Sequence, residues 1–283
     1  MICKELNKEF TDKNEMFKAL KSNKEYIISV KRSQILKSFE KGLGVNAKSI
    51  DVSKLGTTSK GILKDNDYYY IAVNTTKVLD SHGDLHVDGI WNKTVKDQQG
   101  KNYLVTDHKM ELSNVVAKKE NIEMLLAEIP FSSIGKSYSG NTQALIYKVA
   151  KADIINPLAK DWLDSGSDIE ASVRMQYVNL DLAMNSEAKG DEAEFKNYNE
   201  YIDTIANKDD FDSIDYFWIV KEAKNIGESS LVLNGSNSAT GVLDNKNIQP
   251  SEDTDKKEPS NDTHKTTIDK VSNSKLINFH KYL

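Results

Sequence analysis

The apolar residues of this chain fall into two rhythms. Between residues 8 and 42 they recur at helical spacing, with Phe17, Leu20, Ile27, Ile28, Ile35 and Leu36 along one side of a segment rich in Lys and Glu, before Gly42 and Gly44 interrupt it. That pattern predicts an amphipathic helix or helix pair. From residue 67 the rhythm changes. DYYYIAVNTTKVL, residues 67–79, is dominated by aromatic and β-branched residues and predicts a strand. Residues 102–108, 122–131 and 143–154 predict three more strands, and the polar, Gly-containing DSHGDLHVDG at 80–89 reads as a turn.

NPLAKDWLDSG, residues 156–166, predicts a short helix: Asn156 is placed to cap it, Pro157 to open it and Gly166 to end it, with Leu158 and Trp162 on one face. The following segment alternates strictly. Ile169, Ala171, Val173, Met175 and Tyr177 are apolar, and Glu170, Ser172, Arg174 and Gln176 stand between them. A strand with that period turns one face to a core and leaves Ser172 and Arg174 together on the accessible face. Residues 186–208 are polar with Phe195, Tyr198 and Ile202 at helical spacing, which predicts an exposed helix inserted between strands. Residues 215–223 and 228–233 predict two last strands. Strands outnumber long helices and no βαβ rhythm repeats, so the fold class is α+β, with a mostly antiparallel sheet or barrel and helices around it.

Past residue 241 the text turns to Ser, Asp, Lys, Asn and Pro, which cannot bury enough apolar surface to order itself. The last stretch has Ile268, Val271, Leu276, Ile277 and Phe279, enough for a short terminal helix that docks on a partner. The chain therefore divides into a helical N-terminal region at 1–60, a domain at 61–241 and a disordered tail at 242–283.

Composition narrows the functional classes. Of 283 residues, 38% are hydrophobic and 29% charged, and the formal net charge is −5. An acidic chain with a pI of 5.7 lacks the net basic face that broad nucleic-acid binding needs. Cys3 is the single cysteine, so neither an intrachain disulfide nor a cysteine-built zinc site is expected. The first residues hold no apolar run of signal-peptide length, and no later segment approaches the ~20 apolar residues of a membrane span, so a soluble, intracellular protein is expected.

The domain offers three histidines, His82, His86 and His108. A serine protease needs a hydroxyl, a base within reach of it and a group that orients the base. His108 ends a predicted strand, a position where a rigid element fixes a catalytic group. The rival chemistry is a metal site on His82 and His86, completed by His108 or Asp84. Gly83 and Asp84 between the first two are poor helix formers, and no H-E-x-x-H motif is present. Phosphate-loop and G-x-S-x-G signatures are absent as well.

Four segments, taken in order, resemble the prohead maturation proteases of tailed phages, distant relatives of the herpesvirus assemblin proteases. VLDSHGDLHVDGIWNKTV at 78–95 is similar to the family's early D-x-x-G-D turn followed by a Gly and an aromatic. YLVTDHKMEL resembles the strand that ends in the catalytic histidine. DWLDSGSDIEASVRMQYV resembles the Gly-terminated helix and the strand that carries the nucleophilic serine. GESSLVLNGSNSATG is similar to the E-x-S-x-V strand and its Asn-containing exit. The resemblance covers about residues 68–241. It departs from the family at Val173-Arg174, where many relatives carry a pair ending in Gly, at the NGSN exit, and in the long 186–208 insertion.

The resemblance implies His108 as general base, Ser172 as nucleophile and Glu228 as the third member, with Asp107 and Glu170 as alternatives for that last role. Arg174 is either an oxyanion-stabilising group or a surface arginine. The resemblance also implies a seven-stranded, mostly antiparallel β-barrel surrounded by helices, and no cofactor or metal. Substrates would be phage scaffold and major capsid proteins and the chain itself, with self-association, in the host cytoplasm and inside the prohead, and with no nucleic-acid or membrane partner. The competing expectation is a catalytically inactive virion or scaffold-like protein on the same fold.

Overall fold

A computed structural model describes residues 1–36, 67–167, 169–233, 239 and 241–243. Gly42, Gly44, the NGSN exit and the tail from 244 onward, with its expected terminal helix, lie outside the described residues. The ordered elements run β1 (Ile2–Cys3), β2 (Lys8–Glu9), α1 (Lys13–Ser22), α2 (Lys24–Ser33), β3 (Tyr68–Thr75), β4 (Asp84–His86), α3 (Asn92–Asp97), β5 (Tyr103–Thr106), β6 (Val115–Ala117), β7 (Ile122–Pro130), β8 (Asn141–Ala150), α4 (Pro157–Ser165), β9 (Glu170–Met184), α5 (Glu192–Tyr201), β10 (Tyr216–Val232) and β11 (Gly241–Leu243). The fold is mixed α+β, and six of the eight strand pairings among the described residues are antiparallel.

β10 is the spine of the first sheet. Its first half pairs in parallel with β4, and its second half pairs in parallel with β5, which continues antiparallel to β6. Along its other edge β9 runs antiparallel for the full length, from Met184 opposite Tyr216 to Glu170 opposite Val232. The second sheet, in the order β11-β3-β8-β7, is antiparallel throughout. No pairing among the described residues joins the two sheets into a closed barrel. They share a core of Tyr69, Ile71 and Val73 from β3, Leu145 and Tyr147 from β8, Val173, Met175 and Tyr177 from β9, and Trp218 and Val220 from β10. The opposite face of β3, Tyr70 and Ala72, enters a second cluster with Ile129 and Phe131. A strand buried on both faces reads as an unbroken apolar run, as this one does.

The N-terminal helices are built into the same core. Asp12 caps α1 by accepting the Glu15 N–H at 2.9 Å. Met16, Phe17 and Leu20 of α1 and Ile27 and Ile28 of α2 are buried in the shared core. Ile35 and Leu36 do not continue that face. α2 stops at Ser33, Ile35 is exposed, and Leu36 pairs in extended backbone with Met175 of β9. All described residues fall in one unit, Met1–Ile248. β11 carries strand pairing to Leu243, past the expected boundary at 241.

Three local expectations change. The 80–89 turn contains a strand, because Asp84, Leu85 and His86 are all buried and pair with β10. α4 is capped by Asn156 and ended by left-handed Gly166 as expected, but Ala159 and Leu163 face the core while Leu158 is 68% exposed. α5 is anchored rather than free: its Glu194 is buried and meets Lys24 at 2.7 Å and Lys21 at 3.6 Å.

Candidate catalytic site

Three adjacent strands of the first sheet each bring one group to the same point. β5 ends at Thr106, and the two residues after it, Asp107 and His108, both have left-handed backbone, with φ of 53° and 54°. That conformation costs an L-residue roughly 1–2 kcal/mol, and Asp and His are among the side chains that tolerate it best. The paired left-handed residues turn the chain sharply, so His108 folds back over β10 rather than extending past it. Lys109 N–H closes the turn on Thr106 O at 3.0 Å, and Asp107 N–H donates to Leu231 O of β10 at 3.1 Å.

On β10 and β9 the register does the placing. Ser230 stands directly opposite Ser172. Side chains two apart on a strand share a face, so Glu228 joins Ser230 and Ser172 on one side of the sheet. Between Asn225 and Ser229 the ladder is interrupted by a bulge at Gly227, whose φ is +80° and whose N–H donates to Asn102 Oδ1 at 2.9 Å. Bulges of this kind re-aim side chains next to functional sites.

The result is a continuous hydrogen-bonded chain. His108 Nδ1 lies 2.9 Å and 3.1 Å from the two Glu228 carboxylate oxygens, and His108 Nε2 lies 2.8 Å from Ser172 Oγ. With Glu228 as a carboxylate, which only accepts, the assigned tautomer carries the ring proton on Nδ1 and donates it to Glu228. Nε2 is then left with a lone pair to accept the Ser172 hydroxyl proton. All three groups are buried: His108 is 7% exposed, Ser172 1% and Glu228 0%. In water-poor surroundings such a chain is electrostatically strong, and leaving any one member unpaired is costly. Of the three acids considered for the third position, Glu228 occupies Nδ1. Asp107 is exposed and enters the site through its backbone, and Glu170 sits at the start of β9 near the Lys136 ammonium.

Arg174 shares the Ser172 face of β9 and is half-buried, and its Nε is buried without a hydrogen-bond partner among the described residues. Ser230 is the Ser of the E-x-S-x-V segment, to which sequence reasoning gave no role; its hydroxyl accepts the His108 backbone N–H at 2.9 Å. The available signal was its place two residues from Glu228 in ESSLV.

The other histidines do not converge on this point. His86 is buried with Nδ1 at 3.2 Å from the Asn74 side chain and Nε2 at 3.2 Å from Tyr177 Oη, while the His82 side chain is exposed. Among the described residues no three His, Cys, Asp or Glu side chains cluster as metal ligands. His86 belongs instead to a buried network. Tyr177 Oη–H donates to Asp84 at 3.0 Å, Lys31 of α2 meets the other Asp84 oxygen at 2.5 Å, and Trp91 Nε1–H donates to Asn74 at 2.8 Å. Burial pushes the His86 imidazole down to about 4, so it is neutral. Burial and the neighbouring Asp84 push the Asp80 carboxyl up to about 7. Asp80 also closes the turn before β4 by accepting the His82 and Asp84 amides at 2.8 and 2.9 Å.

No helix among the described residues is long and apolar enough to cross a membrane. No protein-family model, curated protein or solved structure matches the chain.

Proposed function

We propose that the chain is a serine endopeptidase. One observation carries the reading, the hydrogen-bonded order Ser172–His108–Glu228 with 2.8 Å and 2.9 Å links. A base within hydrogen-bond reach of a hydroxyl, itself oriented by a carboxylate, is the arrangement that activates serine for acyl transfer. Ser172 Oγ attacks the scissile carbonyl while His108 Nε2 takes its proton. The resulting imidazolium is faced by Glu228. His108 then returns the proton to the leaving amine, and water, deprotonated by the same base, releases the acyl group and restores Ser172. Arg174 supplies positive charge two residues from the nucleophile for the developing oxyanion, in a position where its Nε has no competing partner among the described residues. Ser172 is 1% exposed, so a carbonyl reaches it only after neighbouring groups move.

The narrower reading, a prohead maturation protease that cuts scaffold and capsid proteins and itself in the host cytoplasm and inside the prohead, rests on the ordered sequence motifs. The barrel of that family is part of the same proposal. β3 packs against β9, the place where the two sheets would close. The competing reading, a non-enzymatic virion or scaffold-like component, draws support from the near-complete burial of Ser172.

The test is expression of the full chain beside Ser172→Ala, followed by treatment with a fluorophosphonate. The protease reading expects wild type to shorten itself and to be labelled on Ser172, and the variant to stay full-length and unlabelled. If both stay intact and unlabelled, and wild type is inert toward scaffold and capsid proteins, the non-enzymatic reading replaces it.

A further inference from the structure

We infer that Ser230 is a positioning residue for His108, holding the turn that carries the base so that its ring meets Ser172. The inference rests on the protease reading of the same site. Ser230 is fully buried and sits across the ladder from Ser172, two residues from Glu228. Its hydroxyl oxygen accepts the His108 backbone N–H at 2.9 Å, and its own proton is directed to Leu231 O at 3.1 Å or Val105 O at 3.3 Å. A hydroxyl has one proton to give and lone pairs to receive, so both capacities are used at once.

The need for such an anchor comes from the turn itself. Asp107 and His108 are consecutive non-glycine residues with left-handed backbone. That arrangement persists only where the surroundings over-determine it. β10 does so at three points: Leu231 O takes the Asp107 amide, Ser230 Oγ takes the His108 amide, and Glu228 takes the His108 ring. Without the Ser230 hydroxyl the His108 amide is buried and unpaired, and the turn relaxes towards an ordinary conformation that carries the ring away from Ser172. A displacement of about 1 Å at a reacting group costs on the order of 100-fold in rate. The adjacent Ser229 provides the contrast. It points to the opposite, core face, where its hydroxyl accepts from Asn225 Nδ2 at 3.1 Å.

The experiment compares the full-length wild type with Ser230→Ala, Ser230→Thr and Ser229→Ala. Hydrolysis of a peptide spanning a self-cleavage site gives kcat and KM separately. The low-field proton resonance of the His108 Nδ1–H to Glu228 hydrogen bond is read by NMR in a Ser172→Ala background, which removes self-cleavage. Ser230→Ala is expected to lower kcat by ~10- to 100-fold with KM unchanged, and to shift or broaden the His108 resonance. Ser230→Thr keeps the hydroxyl and is expected to retain the resonance and most of the rate. The inference is overturned if Ser230→Ala keeps both kcat and the resonance. It is also overturned if folded Ser230→Thr loses as much as Ser230→Ala, or if Ser229→Ala moves the resonance equally. A wild type without peptidase activity sinks the protease reading by itself, while the resonance still decides whether Ser230 sets the ring.

Discussion

Glu228→Gln separates the roles of shape and charge at the site. Glu228 is fully buried and its oxygens lie 2.9 and 3.1 Å from His108 Nδ1. Gln has the same shape, so packing is kept and only the charge and one acceptor are lost. If the amide oxygen faces Nδ1, the ring keeps its tautomer. In the proposed acyl transfer, the imidazolium formed when His108 takes the Ser172 proton then has no carboxylate beside it. A charge pair about 4 Å apart at an effective dielectric near 20 is worth ~4 kcal/mol, close to a factor of 1000 in rate. If the amide NH₂ faces Nδ1 instead, the ring proton moves to Nε2, which can no longer accept from Ser172, and the loss approaches ~10,000-fold. Both orientations predict a fall in kcat of roughly 1000- to 10,000-fold with the protein still folded. Steady-state peptide hydrolysis and the rate of fluorophosphonate labelling at Ser172 measure it, with thermal unfolding as the control for folding. A folded Glu228→Gln within tenfold of wild type, beside inert His108→Ala and Ser172→Ala, would show that His108 works without this carboxylate.

The buried acids near β4 make two further predictions. The Asp80 carboxyl, raised from 3.8 to about 7, keeps a proton in the folded chain that the unfolded chain has lost, so stability falls as pH rises between about 4 and 7 and is flat above. Asp80→Asn retains the acceptor for the His82 and Asp84 amides, so it should remove a stability difference of up to ~3 kcal/mol between pH 5 and pH 8, read by urea unfolding at the two pH values. Lys31→Met takes away the ammonium 2.5 Å from Asp84 and should cost ~3–5 kcal/mol at pH 8, and less at pH 5, where the Asp80–Asp84 pair carries more protons. A loss that is the same at both pH values would refute the ion-pair account.

The parts of the fold visible in the sequence are those where one local rule acts alone. The β9 alternation put Ser172 and Arg174 on one face because period two is fixed by backbone geometry, but that face is not open as expected: Ser172 is 1% exposed. Asn156, Pro157 and Gly166 bounded α4 because caps and left-handed ends are local. Long-range satisfaction was invisible. Asp84 and His86 read as turn residues because polar side chains in a strand are acceptable only when distant partners pair them, here Lys31 and Tyr177 for Asp84 and Asn74 and Tyr177 for His86. Residues 215–223 and 228–233 read as two strands because Lys224, Asn225 and Gly227 look like a loop. They are one strand, β10, carried through a bulge with β9 paired on both sides of it. His108, Ser172 and Glu228 could be proposed from motif order, but their meeting depends on the parallel register of β5 with β10, which no local pattern encodes.

That register also explains when the site comes into being. β5 and β10 are parallel neighbours, and a parallel pair requires a crossover, which here is the whole chain from β6 through α5. β10 is thus the last long strand of the first sheet and also its centre, with β9 on one edge and β4 and β5 on the other. It supplies the carboxylate for the His108 ring, the hydroxyl for the His108 amide and the carbonyl for the Asp107 amide. A chain that stops short of residue 228 has the serine and the histidine but nothing to hold the left-handed turn or orient the imidazole. Contacts between residues this far apart in sequence form late, because the closure entropy of the intervening chain precedes any stabilisation they give. On the proposed protease reading, His108 is therefore aligned with Ser172 only once the sheet around both is complete, and an unfinished chain is expected not to cut itself.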